Sequence, residues 1–250
     1  MSLSPDLPDD LARLWRLRKS SRLGRPAGLD VERVVGVAID LADRDGLAGA
    51  TLPKIAAELN VTPMSLYRHV GSKDELLTLM GDLAFGLPPQ YAPPYGDWRT
   101  MLRHWAQAQW LVYRRRPWLA QLPTSGPPRG PHLIAWLDAG LRALRDTGVD
   151  PAAKLGILTV ISGYVRQADL LAQQLEQGWL SDGGDQLQHE QSYGRRMAEL
   201  LDPARFPDAA ALFATGLFEA PPPTEDPTGD DFRSGLELIL DGVSATVAAN

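Results

Sequence analysis

The sequence contains no cysteine, so disulfides and thiolate metal sites are excluded. No apolar run is long enough to span a membrane, and the opening residues, MSLSPDLPDD, lack the apolar core of a signal peptide. The chain also shows no metal-ligand spacing, no glycine-rich phosphate loop and no nucleophile–base set. We therefore expect a cytoplasmic protein that has no cofactor and no bound metal, contacts no membrane and is not an enzyme.

The chain lacks the positive net charge that is typical of nucleic-acid-binding proteins, since its formal net charge is −6. This acidic excess lies in residues 81–250, because residues 1–80 contain 11 Lys or Arg and 11 Asp or Glu. Six basic residues follow one another with no acid between them: Arg13, Arg16, Arg18, Lys19, Arg22 and Arg25. Residues 1–28 are predicted to be a basic arm, which either reaches a minor groove or phosphates or is a solvated tail. Within the arm, residues 11–17 favour a short helix.

Residues 29–86 contain the signals of several short helices. Four residues suited to capping helix N-termini occur here: Asp30, Thr51, Thr62 and Ser72. Asn60 favours a left-handed end to the helix that Thr51 begins. Residues 72–75 have the capping-box pattern, with Glu75 three positions after Ser72. Three short helices around one small core predict a helix-turn-helix domain over residues 29–72.

The second helix of this motif is predicted to begin at Pro63 and to bury Leu66 and Val70. Its outward residues suit contact with nucleic acid: Met64, Ser65, Tyr67, Arg68 and His69. Arg68 suits a bidentate guanine contact, but it could equally reach a phosphate. Met64 either touches a thymine methyl group or lies at the edge of the core. The pattern favours DNA binding, although the same geometry also occurs in proteins that do not bind DNA.

Beyond residue 73 there is no strand-like alternation, and helical segments alternate with Pro- and Gly-rich loops. Two longer helices are predicted, from Pro151 to about Gln177 and over residues 232–247. The fold is therefore predicted to be all-α, with a helical bundle over residues 73–250. The stripes of these two helices serve either a dimer or the protomer core. We expect a homodimer, because two recognition helices one DNA turn apart read a longer site.

Residues 51–77, TLPKIAAELNVTPMSLYRHVGSKDELL, resemble the TetR family of bacterial transcriptional regulators, and this similarity extends over about residues 29–86. The segments GDWRTMLRHWAQAQWLVYRRRPWLAQL and DDFRSGLELILDGVSA resemble, less specifically, the C-terminal domain of the tetracycline-repressor subgroup. The resemblance implies a ligand-responsive DNA-binding regulator, most simply a repressor that a small molecule releases from its double-stranded operator. Activation rather than repression stays open. The C-terminal domain would bind the effector and form the dimer.

The resemblance also implies a set of DNA-binding residues: Thr51, Thr62, Pro63, Met64, Ser65, Tyr67, Arg68, His69 and Lys73. The matches to Tyr67, His69 and Lys73 contact phosphates in such regulators. Thr51 and Thr62 would lie near the DNA backbone, because helix N-termini attract anions. Pro53 and Pro63 occupy positions that are often polar in the family, so little direct base reading is expected.

Such regulators bind small molecules between the helices of the second domain, in apolar surroundings with a few polar groups. The lining candidates that this implies are His104, Trp105, Trp136, Tyr164 and Gln167. No magnesium site is expected. Two other functions stay open: an all-helical small-molecule-binding enzyme with a non-functional helix-turn-helix, and an architectural nucleic-acid-binding protein without an effector.

Overall fold

A computed structural model describes residues 8–16, 29–90, 96–124, 126–183, 186–219 and 226–249. These residues form helices and contain no strand, which confirms the predicted all-α fold. The predicted arm residues Arg18, Lys19, Arg22 and Arg25 lie outside the described ranges. None of the described helices is both long and apolar enough to cross a membrane.

The helices up to residue 143 are α1 (Asp9–Leu14), α2 (Val31–Asp45), α3 (Leu52–Glu58), α4 (Pro63–Val70), α5 (Lys73–Phe85), α6 (Trp98–Arg115) and α7 (Pro131–Ala143). The later helices are α8 (Pro151–Asp182), α9 (Gln186–Leu200), α10 (Pro207–Phe213) and α11 (Pro227–Ala248). Two short 3-10 helices span Leu47–Gly49 and Pro117–Gln121.

The chain divides into two compact units: Met1–Asp169 with Ile239–Asn250, and Leu170–Leu238. The first unit holds the predicted helix-turn-helix together with α6 and α7. Helix α5 packs against both α2 and α7, so contacts between helices do not separate the helix-turn-helix from α6 and α7. The predicted domain boundary between residues 72 and 73 stays a prediction.

The helix-turn-helix core forms as the apolar spacing predicts. The Asp30 carboxylate caps α2 by accepting the Arg33 N–H at 2.8 Å. Helix α2 buries Val34 completely, and α3 and α4 bury Ile55 and Leu66 to the same degree. Each of these residues lies on the inner face of its helix, so α2, α3 and α4 share one small core.

Several predicted helix ends are wrong by a few residues. Helix α7 stops at Ala143, because i→i+3 bonds at Leu144 and Arg145 tighten the chain. Helix α8 continues beyond its predicted end near Gln177 and ends before Gly183, whose φ is +76°. Helix ends of this kind are set by contacts and by single left-handed residues, which sequence periodicity does not reveal.

The second unit has its own aromatic cluster. The rings of Phe213 and Phe218 stack with centroids 4.9 Å apart, and Tyr193 meets Phe213 edge-on at 5.5 Å. Gly194 is required beside this cluster, since a Cβ there would lie 2.7 Å from the Phe218 Cβ. Helix α10 ends at Phe213, and the chain then turns so that Phe218 can stack on it.

Candidate nucleic-acid interface and effector cluster

The turn between α3 and α4 has the hydrogen bonds of a Schellman motif. Asn60 adopts a φ of +54°, as its predicted left-handed role requires. The Asn60 N–H bonds to the Ala57 carbonyl at 3.1 Å, and the Val61 N–H bonds to the Ala56 carbonyl at 2.9 Å. The turn therefore satisfies backbone carbonyl groups at the end of α3 and fixes where α4 begins.

The two threonines predicted as caps behave differently. Thr51 Oγ1 accepts the Lys54 N–H at 3.5 Å, so it caps α3 weakly. Thr62 precedes α4 in an extended conformation, but its side chain makes no capping hydrogen bond. The predicted capping role of Thr62 is therefore wrong, and its exposed hydroxyl is not used within the helix.

The outer face of α4 is a surface of mixed apolar and basic character. Met64 is 73% exposed and Tyr67 is 40% exposed, although both are large side chains that proteins usually bury. Thr51, Thr62, Pro63, Arg68 and Lys73 are exposed as well. These seven residues form the outward surface that the sequence predicts.

Two predicted members of this surface are placed differently. Ser65 is half-buried, and its hydroxyl oxygen is fully shielded and has no hydrogen-bond partner among the described residues. Its predicted outward orientation is wrong, because it lies on the flank of α4 beside buried Leu66. His69 is also half-buried, next to buried Val70, and presents only part of its ring outward.

The positive charge of the helix-turn-helix is concentrated on two residues. Within the described ranges, Arg68 and Lys73 form no ion pair with a carboxylate. By contrast, Arg44 lies 3.5 Å from a carboxylate oxygen of Glu58, and Lys54 lies 3.8 Å from one of Asp45. The uncompensated charge thus falls on the end of α4 and the start of α5.

The predicted capping box at the start of α5 is only half formed. The Glu75 N–H donates to Ser72 Oγ at 3.1 Å, as predicted. The Glu75 carboxylate does not return to the Ser72 N–H, which bonds to the Val70 carbonyl at 3.0 Å instead. The carboxylate accepts from Arg13, whose Nε lies 3.1 Å from Glu75 Oε2.

The C-terminal half of α5 is tied to α7 through Asp82, which keeps only 3% of its surface exposed. Its carboxylate lies 2.8 Å from His132 Nδ1 and accepts the Leu133 N–H at 3.0 Å. Gly130 leaves room for it, because a Cβ at that position would lie 2.1 Å from Asp82 Oδ1. Asp82 therefore supplies the N-terminal cap of α7.

A second connection joins α2 to the 3-10 helix Pro117–Gln121. Asp43 Oδ1 accepts from Trp118 Nε1 at 2.6 Å, and Asp43 Oδ2 lies 3.1 Å from Arg116 Nε. The same Arg116 donates through Nη1 to the Ala84 carbonyl at 3.0 Å. Movement of α2 or α5 is thereby linked to the helices that follow.

An aromatic cluster lies where α5 ends. The Phe85 ring meets Trp136 and Tyr113 edge-on, with centroids 5.3 and 5.4 Å away. Trp105 Nε1 donates to the Trp136 carbonyl at 2.9 Å, and Trp136 Nε1 donates to the Gly86 carbonyl at 2.9 Å. Both indole N–H groups are thus satisfied by backbone and hold the cluster together.

Polar groups from α6 and α8 border this cluster. Gln109 is only 4% exposed; its Oε1 accepts from Ser162 Oγ at 3.1 Å, and its Nε2 has no partner among the described residues. Burial raises the pKa of the Tyr113 hydroxyl to about 12. A buried donor without a partner, such as the Gln109 amide, lowers the stability of the fold. The amide is suited to donate to a hydrogen-bond acceptor of a bound ligand.

The predicted effector-binding residues divide into two groups. Trp105 and Trp136 belong to the buried cluster, and Tyr164 is half-buried. His104 and Gln167 are exposed, so their predicted place in the lining is corrected: neither points into the cluster. The buried face of α8 runs through Ile161 and Val165 and not through the lining candidates Tyr164 and Gln167.

Sequence reasoning missed Gln109, Tyr113 and Ser162. Trp105, Gln109 and Tyr113 are spaced by four residues, which places them on one face of α6. A glutamine within this otherwise aromatic stripe was the sequence signal that could have identified Gln109 as a site residue. No comparable signal marks Ser162, because its role depends on the approach of α8 to Gln109.

Family models match most of the chain. Residues 34–80 match the tetR family of bacterial regulatory proteins, and residues 89–247 match the tetracyclin repressor-like C-terminal domain. The chain belongs to the TetR family. It is therefore a DNA-binding transcriptional regulator with an N-terminal helix-turn-helix domain, as the sequence predicted.

Relatives of this TetR-family protein support the assignment along its whole length. It is 32% identical to the HTH-type transcriptional repressor DrrR1 of Streptomyces coeruleorubidus, over 98% of this chain and 88% of that protein. It is 30% identical to the class E tetracycline repressor protein of Escherichia coli, over 66% of this chain and 80% of the repressor.

Solved structures show the same fold. ActR from Streptomyces coelicolor, in complex with actinorhodin, has a TM-score of 0.68 at 23% identity, over 88% of this chain and 99% of ActR. A TetR variant from Acinetobacter baumannii, in complex with minocycline, has a TM-score of 0.58 at 19% identity, over 88% of this chain and 98% of that one.

Proposed function

We propose that this TetR-family protein is a homodimeric repressor that leaves its operator when a small molecule binds the cluster around Gln109. The observation that carries this proposal is the outer face of α4, where Met64, Tyr67 and Arg68 are exposed beside Lys73. Such a face suits insertion into a major groove. The proposed function needs binding alone and no catalysis, and it places the protein with its operator in the cytoplasm.

We assign the DNA contacts by chemistry and exposure. Tyr67, Lys73 and the hydroxyls of Thr51 and Thr62 contact phosphates, since all four side chains are exposed around α4. Arg68, Met64 and Pro63 face the groove. Ser65 and His69 contribute less, because the Ser65 hydroxyl oxygen is shielded and His69 is half-buried.

The homodimer is proposed from the exposed face of α8. Its exposed apolar residues are Val160, Leu171 and Leu175, which share one side of the helix and retain 46–58% of their surface. The exposed positions among them, such as Gly156, Gly163 and Gln167, carry no charge. Helix α11 exposes 73% of Leu238 in the same way. Apolar, uncharged helix faces of this kind are buried by pairing with a second copy.

The effector site is proposed around the unpartnered amide of Gln109. The Gln109 Nε2 would donate to an oxygen or nitrogen acceptor of the ligand, and the rings of Trp105, Trp136 and Phe85 would cover its apolar part. ActR and the A. baumannii TetR variant have been solved with actinorhodin and minocycline, so we propose that a small molecule also binds here.

Helix α5 couples the two sites. Its 13 residues span about 20 Å, from Lys73 at the DNA face to Phe85 in the aromatic cluster. A ligand that displaces the Phe85 or Trp136 ring would tilt α5 and change the spacing of the two recognition helices. A coupling of about 1–3 kcal/mol would lower operator affinity about 5–150-fold.

The proposal is tested with a DNA duplex that the wild-type protein selects from random sequences. We expect Lys73→Ala to weaken binding of all duplexes alike and to reduce the salt slope by about 1. We expect Arg68→Ala to relax sequence preference by about 1–3 kcal/mol if Arg68 contacts a base.

The matched control is Arg142→Ala on α7, which removes an exposed arginine paired with Asp138. Its binding should equal that of the wild type. A wild-type protein that selects no duplex, or Arg68 and Lys73 variants that bind like the control, would contradict the proposed function.

A further inference from the structure

Two of the predicted arm cations are engaged within the protein. Arg13, on α1, pairs with Glu75 at the start of α5, and Arg16 Nε lies 3.4 Å from Glu32 Oε1 at the start of α2. Leu14 is only 5% exposed and borders the same small cavity as Val35 of α2. Helix α1 is therefore docked on the helix-turn-helix.

Arg13 reaches the end of the recognition helix α4. Its Nε lies 3.1 Å from Glu75 Oε2, and its Nη2 donates to the same oxygen. Gly71 ends α4, and a Cβ there would lie 2.7 Å from Arg13 Nη2. A cation at this place meets the negative end of the α4 dipole. The pair is partly shielded, with 26% and 30% of the two side chains exposed.

Helix α1 and its C-cap residue Trp15 also contact the segment before α7. Trp15 Nε1 donates to the Arg129 carbonyl at 2.8 Å, and the Arg129 guanidinium lies 3.1 Å from Asp10 Oδ2. Arg129 directly precedes Gly130, which lies against the buried carboxylate of Asp82. Helix α1 thus contacts both the end of α4 and the start of α7.

We propose that α1 is an intramolecular brace that positions the recognition helix, with Arg13 as the positioning residue. Arg13 acts on DNA affinity through Glu75 and Gly71 and does not contact DNA. The inference rests on the proposed function, since it requires that α4 binds DNA. For Arg13 it excludes both alternatives that the sequence left open for the basic arm, a DNA contact and a solvated tail.

Variants of Glu75 distinguish the proposed brace from a purely electrostatic effect on DNA affinity. A carboxylate two residues from Lys73 repels phosphates, so its neutralisation alone would tighten DNA binding. If Arg13 contacted DNA, freeing it from Glu75 would tighten binding further. The brace requires the opposite, because loss of either partner releases the junction between α4 and α5.

The test uses the full chain and the duplex selected by the wild-type protein, with affinity measured by fluorescence anisotropy at several salt concentrations. The variants are Arg13→Gln, Glu75→Gln, their double variant and the charge swap Arg13→Glu with Glu75→Arg. Glutamine at position 75 still suits the third position of α5, so the helix start is kept. Arg142→Gln, on α7, is the control for loss of one positive charge.

We expect Arg13→Gln and Glu75→Gln each to weaken binding about 5–20-fold, with an unchanged salt slope. The double variant should bind no more weakly than either single variant, and the charge swap should restore affinity to within about threefold of the wild type. The control should bind like the wild type.

Three results would overturn the brace: Glu75→Gln binding equal to or tighter than the wild type, a salt slope reduced by about 1 in Arg13→Gln, or no recovery in the charge swap. If the wild-type protein selects no duplex at all, the proposed function fails first and the brace fails with it. If the wild type binds and Glu75→Gln is silent, only the brace fails.

Discussion

Replacing Asp82 with alanine should destabilise the protein, because one buried carboxylate holds the start of α7. The carboxylate is 3% exposed, accepts the Leu133 N–H at 3.0 Å and lies 2.8 Å from His132 Nδ1. In Asp82→Ala these groups lose their acceptor while the surrounding backbone keeps them shielded. The variant therefore tests the contact that ties α5 to α7.

The magnitude follows from three contributions. Loss of a helix N-cap costs about 1 kcal/mol, and loss of a hydrogen bond to a charged group costs about 1.5–3 kcal/mol. His132 retains 16% of its side-chain surface, so water can replace part of its lost partner. Alanine also favours helix α5 by about 0.5 kcal/mol over aspartate. We expect a net loss of about 2 kcal/mol in the free energy of unfolding.

The assay is urea unfolding at one fixed protein concentration, since the proposed dimerisation would make apparent stability depend on concentration. Asp138→Ala on α7 is the matched control, because Asp138 is exposed and pairs with Arg142 one turn away. That change should alter stability by about 0.5 kcal/mol or less. An Asp82→Ala loss no larger than that of the control would refute the capping role of Asp82.

Four further changes test the packing and the proposed surfaces. Gly140→Ala should cost about 1–3 kcal/mol of stability, because a Cβ there would lie 2.7 Å from Leu158 Cδ2. Gly36→Ala on α2 meets open space and should gain about 0.5–1 kcal/mol. Urea unfolding measures the stability of both variants. Gln109→Leu should keep the free energy of unfolding within about 1 kcal/mol of the wild type. It should weaken effector-induced release of DNA at least about tenfold, measured by anisotropy with actinorhodin and minocycline as probes. Unchanged release by an active probe would refute the proposed role of the amide. Val160→Glu should give monomers in sedimentation and lose operator binding, and a variant that stays dimeric would contradict the proposed α8 interface.

Local signals predicted the helix-turn-helix well. Asn60 adopts the left-handed conformation that ends α3, and Asp30 and Ser72 cap the helices that follow them. These features depend on atoms within about four residues along the chain, so the local sequence is enough to predict them. The apolar spacing of Leu66 and Val70 identified the buried face of α4 for the same reason.

Predictions of how individual side chains are placed were less reliable. Thr62 suits a cap and makes none, and Ser65 has a polar side chain but turns its hydroxyl inward. His104 is an aromatic neighbour of Trp105, yet one helical step separates a buried residue from an exposed one. Small errors of helical phase therefore change which side chains share a site.

The sequence by itself determined the all-α fold and the outward helix of the DNA-binding motif, because caps, turns and periodicity act over a few residues. It indicated the family through the resemblance of residues 51–77. Only the tertiary structure decided that Glu75 pairs with Arg13, 62 positions away, and that Ser162 meets Gln109, 53 positions away. Such contacts depend on how helices approach one another. That approach is set by packing of the whole core, which no short segment of sequence specifies.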